Sequence, residues 1–241
     1  MLVKTKGIVL HHIKYKESSL LATLYTEKFG RQSFIINSVR KKRSTFKFNL
    51  FRPLSLLSLE AYIKTRNNLQ RIKEAKYHLL PQTIPYDMVK QSITFFLSEV
   101  LYQLLKEEAP DHNMFNFLEH AIEMLDDDID GKANFHLIFL LKLTKHLGIT
   151  LGTNYSESSP YFNLKNGRFE SFQMHQPEQL NIQLSRIWSH LMVSEFDTMH
   201  LIQLNHHQRN ELANQIIRYY QYHLNTLFEM KTLKVLQDMN V

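Results

Sequence analysis

The chain has 241 residues, 44% of them hydrophobic, with no cysteine and a formal net charge of +6. That is enough apolar material to bury a core in one large domain or two modest ones. The missing cysteines exclude disulfides, thiolate nucleophiles and Cys-ligated zinc, and they fit a reducing compartment, so the cytoplasm is the expected location. The charge is uneven: residues 1–80 hold 17 Lys+Arg against 4 Asp+Glu, while the remainder holds 12 against 19. A net +13 at the N-terminal end beside −7 elsewhere implies that the first part meets a polyanion, with nucleic acid the leading candidate.

The opening "MLVKTKGIVLHHIKY" lacks the apolar core and small-residue cleavage site of a signal peptide. Residues 1–80 then run in short segments rich in β-branched, aromatic and leucine residues, broken by turn signals. Five strands are expected, at about 6–14, 19–26, 31–39, 54–64 and 69–77. In "TEKFGRQ" (26–32), Gly30 can supply the positive φ of a hairpin connection, so the second and third strands should pair. In the fourth, Leu54 and Leu56 alternate in one phase and Leu57, Leu59, Ala61 and Ile63 in the other, the pattern that a β-bulge produces. Five short strands with one bent suggest a small barrel of the OB type.

After the "PQTIP" breaker the period becomes helical. Val89, Ile93, Phe96, Val100 and Leu104 mark a first amphipathic helix, ending near Pro110. A second should run from the N-cap Asp111 to the acidic "DDDID". The third, about 133–147, is apolar on most sides and stopped by Gly148, which marks a central buried helix. Its run "FHLIFLLKLTKHLGITL" is interrupted by His136, Lys142, Lys145 and His146 and is too short to span a bilayer, so no membrane association is expected. Residues 149–176 break the pattern, with a hairpin around Asn166-Gly167, helices resume at about 177–195 and 205–228, and a short segment, 231–238, closes the chain. The fold class expected is α+β and multidomain: a five-stranded OB-fold barrel at 1–80 and a helical domain at 81–241.

Four consecutive cations, Arg40, Lys41, Lys42 and Arg43, follow the third strand. Like charges in a row repel one another, and a bound polyanion relieves that cost while counterion release adds affinity. Lys4, Lys6, Lys14, Lys16, Arg31, Lys47, Arg52, Lys64 and Arg66 fall in the same small unit. Phe46, Phe48 and Phe51 interleave with Lys47 and Arg52, the combination of cations and ring faces that holds single strands. Phe46 and Phe48 are candidate stacking residues, and at least one of the three phenylalanines should plug the barrel instead.

Other chemistry is thinly supported. The thirteen histidines show no His-x-x-x-His spacing. "DDDIDGK" imitates the start of a calcium loop, but its twelfth position is Leu137 instead of glutamate, so a solvated turn is expected. No Gly-x-Ser-x-Gly elbow or phosphate loop occurs. Asp87, Glu99, Glu107 and Glu108 could in principle form a metal-dependent nuclease site, and a regulator reading duplex sequence is a second alternative, although the charge is on strands and loops and not on a helix-turn-helix. Trp188 is read as core.

The order of features resembles the RecO family of bacterial recombination and repair mediators. The segments that carry the resemblance are "KGIVLHHIKYKESSLLATLYTEKFGRQSFI" (6–35), "NSVRKKRSTFKFNLFRPLSLLSLE" (37–60) and "IIRYYQYHLNTLFEMKTLKVLQ" (216–237). It implies an OB fold joined to a helical domain, binding to single- and double-stranded DNA, and annealing of complementary strands. It also implies work with RecR and with the acidic C-terminal tail of single-stranded-DNA-binding protein, and through them help in loading RecA, with no catalytic step. Within the basic loop, Arg40, Arg43 and Ser44 match the family's own. Many members carry a four-cysteine zinc module where this chain has "GTNYSESSPYFNLKNGRFE" (152–170), so that zinc is excluded here and no cofactor is expected. An apolar groove on the helical domain, edged by Lys142, Lys145, Arg186 or Arg218, is the expected seat of the tail.

Overall fold

The computed structural model describes residues 1–241 apart from 18, 38–47, 65–68, 107–108, 129, 226, 228 and 240–241. The chain divides into two compact units, Met1–Asp127 and Asp128–Val241.

The first unit begins with five strands: β1 (Leu2–Tyr15), β2 (Ser19–Thr26), β3 (Gly30–Ile36), β4 (Leu56–Tyr62) and β5 (Gln70–Tyr77). They close into a barrel in the order β1-β2-β3-β5-β4, the five-stranded OB arrangement. All pairings are antiparallel except β3 with β5, where Phe34 and Ile35 lie opposite Gln70 and Arg71. Alternation sorts the side chains: Leu20, Ala22 and Leu24 of β2, Phe34 and Ile36 of β3, and Leu57, Leu59 and Ala61 of β4 enter one buried cluster. Gly30, at φ 59°, closes the β2–β3 hairpin, and the Thr26 hydroxyl donates to its carbonyl at 2.8 Å.

The phase change at residues 54–57 has a different origin from the expected bulge. Leu54 occupies a turn at φ 57°, and β4 starts only at Leu56. Leu57, Leu59 and Ala61 point into the barrel, whereas Leu54 and Leu56, equally buried, line a cavity on the outer face with Phe95 and Ile122. Both phases are apolar because both faces of the chain are covered there. The register shifts fall elsewhere, between Val9 and His11 of β1 and between Glu60 and Ala61 of β4.

The first shift leaves Leu10 without a partner on β2, and its carbonyl accepts instead from the hydroxyl of Ser98. Ser98 belongs to α1 (Met88–Leu104), which buries Ile93, Phe96, Leu97, Val100 and Leu101. The Asp87 carboxylate caps this helix, accepting from the amides of Val89 and Lys90 at 2.9 and 3.1 Å. Asp111 does the same for α2 (His112–Asp126), through the Met114 amide at 3.0 Å. Phe115 of α2 stacks on Tyr25 of β2 with ring centres 6.4 Å apart. Burial raises the Tyr25 hydroxyl to about 12, with Asp111 adding to the effect.

The second unit holds α3 (Phe135–His146), the two-stranded hairpin β6 (Tyr161–Asn163) and β7 (Arg168–Glu170), α4 (Ile182–Val193), α5 (His206–Leu224) and α6 (Lys231–Asp238). α3 packs against α4 and α5 and is buried on most sides. Trp188 is completely buried, stacked on Phe162 at 4.9 Å and edge-on to Tyr219 at 5.9 Å. Cutting a ring of this kind back to alanine costs about 3–5 kcal/mol. The helices near 177 and 205 are shorter than expected: Asn181 caps α4, and Asn225, in the left-handed conformation at φ 47°, ends α5.

Candidate nucleic-acid interface

Of the residues that the sequence nominates, Arg40, Lys41, Lys42, Arg43, Ser44, Phe46, Lys47 and Arg66 lie outside the described residues. Phe48 opens a short 3₁₀ turn, Phe48–Phe51, that leads toward β4. Its ring is 36% exposed and meets His12 edge-on at 5.3 Å. Phe51, three residues later, is completely buried and is the phenylalanine that plugs the barrel.

The nominated cations separate into two groups. Lys4, Lys14, Lys16 and Arg52 are exposed. Lys14 lies near the end of β1 and Lys16 follows the strand, turning back at φ 53° with its ammonium 5.4 Å from the Tyr15 ring centre. Lys6 and Arg31, by contrast, are held inside the unit. The Lys6 ammonium contacts both carboxylate oxygens of Glu119 on α2, at 2.8 and 2.9 Å. Arg31 donates to the carbonyls of Tyr102 and Leu105 at 2.8 and 2.9 Å and so completes the end of α1. These two tie the helices to the barrel.

Two histidines beside the cations are neutral at pH 7. Burial lowers the His11 ring, with Arg31 adding to the effect; burial lowers His12, with His11 adding. The positive charge of this region is therefore that of lysine and arginine alone. Arg71, Lys73 and Lys76 of β5 are exposed cations that inspection of the sequence passed over, and Lys73 is paired with Glu60 at 3.2 Å.

The acidic residues once considered for metal chemistry have other duties. Asp87 caps α1, and Asp126 accepts from the amides of Gln82, Thr83 and Ile84 at 2.7, 2.9 and 2.9 Å. Glu107 and Glu108 lie outside the described residues. Among the described residues no three His, Asp or Glu side chains converge on a point that could hold a metal ion, and no helix is long and apolar enough to cross a membrane.

A closed OB-type barrel carrying exposed cations, followed by helices, is the setting in which the comparisons become decisive. The family sequence models described as Recombination protein O N terminal and Recombination protein O C terminal match residues 1–79 and 85–231. The chain belongs to the RecO family. DNA repair protein RecO of Bacteroides fragilis is 38% identical over 245 residues, and that of Phocaeicola vulgatus is 38% identical over 240, each match covering 99% of both chains. The counterpart from Flavobacterium psychrophilum is 35% identical over the same share. The chain is thus a RecO-family DNA repair protein.

In this RecO-family chain, the residues proposed to edge a peptide groove all lie in the second unit. Lys145 and Arg186 are exposed, Lys142 is paired with Glu195 at 2.6 Å, and Arg218 donates to Gln215 and to the Tyr222 hydroxyl at 3.0 and 3.2 Å.

Proposed function

We propose that this chain acts in the cytoplasm as a recombination mediator: its N-terminal domain, residues 1–80, binds single- and double-stranded DNA, and the helical domain, 81–241, carries partner contacts. In this reading it anneals complementary strands and, together with RecR, helps RecA onto DNA coated by single-stranded-DNA-binding protein, whose acidic tail it recognises. The observation that carries the proposal is the charge of 17 Lys+Arg against 4 Asp+Glu placed on an OB-type barrel. Annealing needs two polyanions held close together, and a dense cationic surface lowers the repulsion between them. The DNA contacts proposed are Arg40, Lys41, Lys42, Arg43, Ser44 and Lys47 of the basic loop with Lys4, Lys14, Lys16 and Arg52. Phe46 and Phe48 supply ring faces for bases.

The test is fluorescence anisotropy of labelled single-stranded DNA across a salt series, with strand annealing measured on the same stocks. Four to six phosphates neutralised would give a log–log slope of about −3 to −4. Arg40→Ala/Arg43→Ala should flatten the slope by about one to two units and slow annealing. Unchanged binding and annealing in that double variant would remove the loop from the interface.

A further inference from the structure

The first unit contains an apolar cavity of about 360 Å³, at the small end of the range typical of ligand sites. Leu54, Leu56 and Ile122 give it an aliphatic lining, and Phe48 and Phe95 are its two most exposed rings, at 36% and 48%. Arg52 also borders it. We propose that this cavity receives one unstacked nucleobase of a bound single strand, with Phe95 and Phe48 as its stacking faces. The proposal rests on the DNA-binding reading above and adds to it a site for the base.

Three observations favour a base over another occupant. First, an exposed cation borders the cavity: Arg52 lines it, and in the sequence the run Arg40–Arg43 ends five residues before Phe48. An occupant arriving there is tethered to a polyanion, and the flat, weakly polar group that a polyanionic strand carries is its base. Second, three polar groups of the lining are engaged within the fold. Asp126 accepts from three backbone amides, the Gln91 amide donates to the Pro85 carbonyl at 2.9 Å, and the Thr94 hydroxyl donates to the Gln91 carbonyl at 2.7 Å. The cavity therefore offers chiefly π faces and aliphatic walls, with Arg52 at its border for a phosphate, so it should accept every base. Third, His12 presents a neutral ring beside Phe48, so this wall adds no charge to be desolvated when a base enters.

The experiment compares a labelled oligothymidylate with an abasic strand of equal length, which keeps the phosphates and removes the bases. Wild-type protein should prefer the base-bearing strand by about tenfold, the effect of one stacked base. Phe95→Ala should lower that ratio several-fold while leaving the salt slope unchanged, and Phe95→Leu, which keeps the apolar volume, should do the same. Strands carrying 5-iododeoxyuridine should photo-cross-link to Phe48, His12 or Phe95. Equal binding of the two strands by wild type, or a ratio untouched in both variants, would overturn the proposal and leave the DNA-binding reading standing; the cavity would then suit a protein side chain. Failure of wild type to bind either strand would overturn both.

Discussion

The guanidinium of Arg31 donates to the carbonyl of Tyr102 at 2.8 Å and also lies 4.4 Å from the centre of that residue's ring. With the second bond to Leu105, it serves carbonyls that the last turn of α1 leaves without intrahelical donors. Arg31→Ala should therefore lower the stability of the first unit by about 1.5–3 kcal/mol. Arg31→Lys should recover only part, because an ammonium cannot reproduce the planar fork. Thermal melts followed by circular dichroism would measure the loss, and the salt slope of DNA binding should not change.

Asp126 makes a comparable attachment at the end of α2. Burial pushes its carboxyl up, but the amides of Ile84, Gln82 and Thr83 outweigh that and hold it below the ordinary value of 3.8. The stabilisation is fully present above that pH and is lost as the pH falls through the lower folded-state value. At neutral pH, Asp126→Asn should cost about 1.5–3 kcal/mol, and the gap to wild type should shrink below about pH 4. Urea midpoints of both proteins at several pH values would show it.

His136 works in the opposite chemical sense. It is completely buried on α3, and burial, reinforced by Arg209, pushes it down to about 3 from 6.5. The unfolded chain then binds a proton between these values that the folded chain does not, so stability falls as pH drops below 6.5. The loss should reach about 2 kcal/mol at pH 5. Trp188, the single tryptophan, is buried in the same unit, so its fluorescence reports unfolding there. His136→Gln should flatten the dependence between pH 5 and 7.

Gly131 and Gly148 give a contrast in the same unit. Both have positive φ, 77° and 70°, but a Cβ on Gly131 would sit 2.6 Å from the Cα of His200, whereas one on Gly148 would meet nothing within 4 Å. Gly148→Ala should cost about 1–2 kcal/mol, the strain of the left-handed conformation alone. Gly131→Ala should cost clearly more, because the backbone around His200 must also move. Parallel Trp188 unfolding curves would rank them.

The strands and helices were legible wherever one period dominated. β2 keeps its expected limits, α1 begins where expected but ends at Leu104, short of the expected stop near Pro110, and both Asp111 and Gly30 play the parts their residue types suggest. Legibility failed where a long-range partner decides a residue's role. Lys6 and Arg31 count as cations in the sequence, yet their partners lie 113 and 71 residues further along. Charge counting cannot distinguish a lysine that meets solvent from one that meets Glu119. Leu54 and Leu56 suggested a bulge because a one-faced strand was assumed, and a second covered face produces the same pattern. Asp126 looked like a solvated turn residue, since nothing in "DDDID" reveals the three amides that it accepts. Phe95, on the exposed side of an amphipathic helix, carried no signal until the cavity beside it was seen.

The bond from Ser98 to the Leu10 carbonyl has a consequence for how the protein is made. Synthesis proceeds from the N-terminus, and the five strands are complete once Tyr77 has left the ribosome. At that moment the carbonyl exposed by the irregularity in β1 still faces water, and the outer leucines Leu54 and Leu56 are bare. The nascent barrel can settle only after residue 98 has followed, so a gene fragment ending near codon 80 should yield a sticky, protease-sensitive product, and one ending after α2 should yield a well-behaved one.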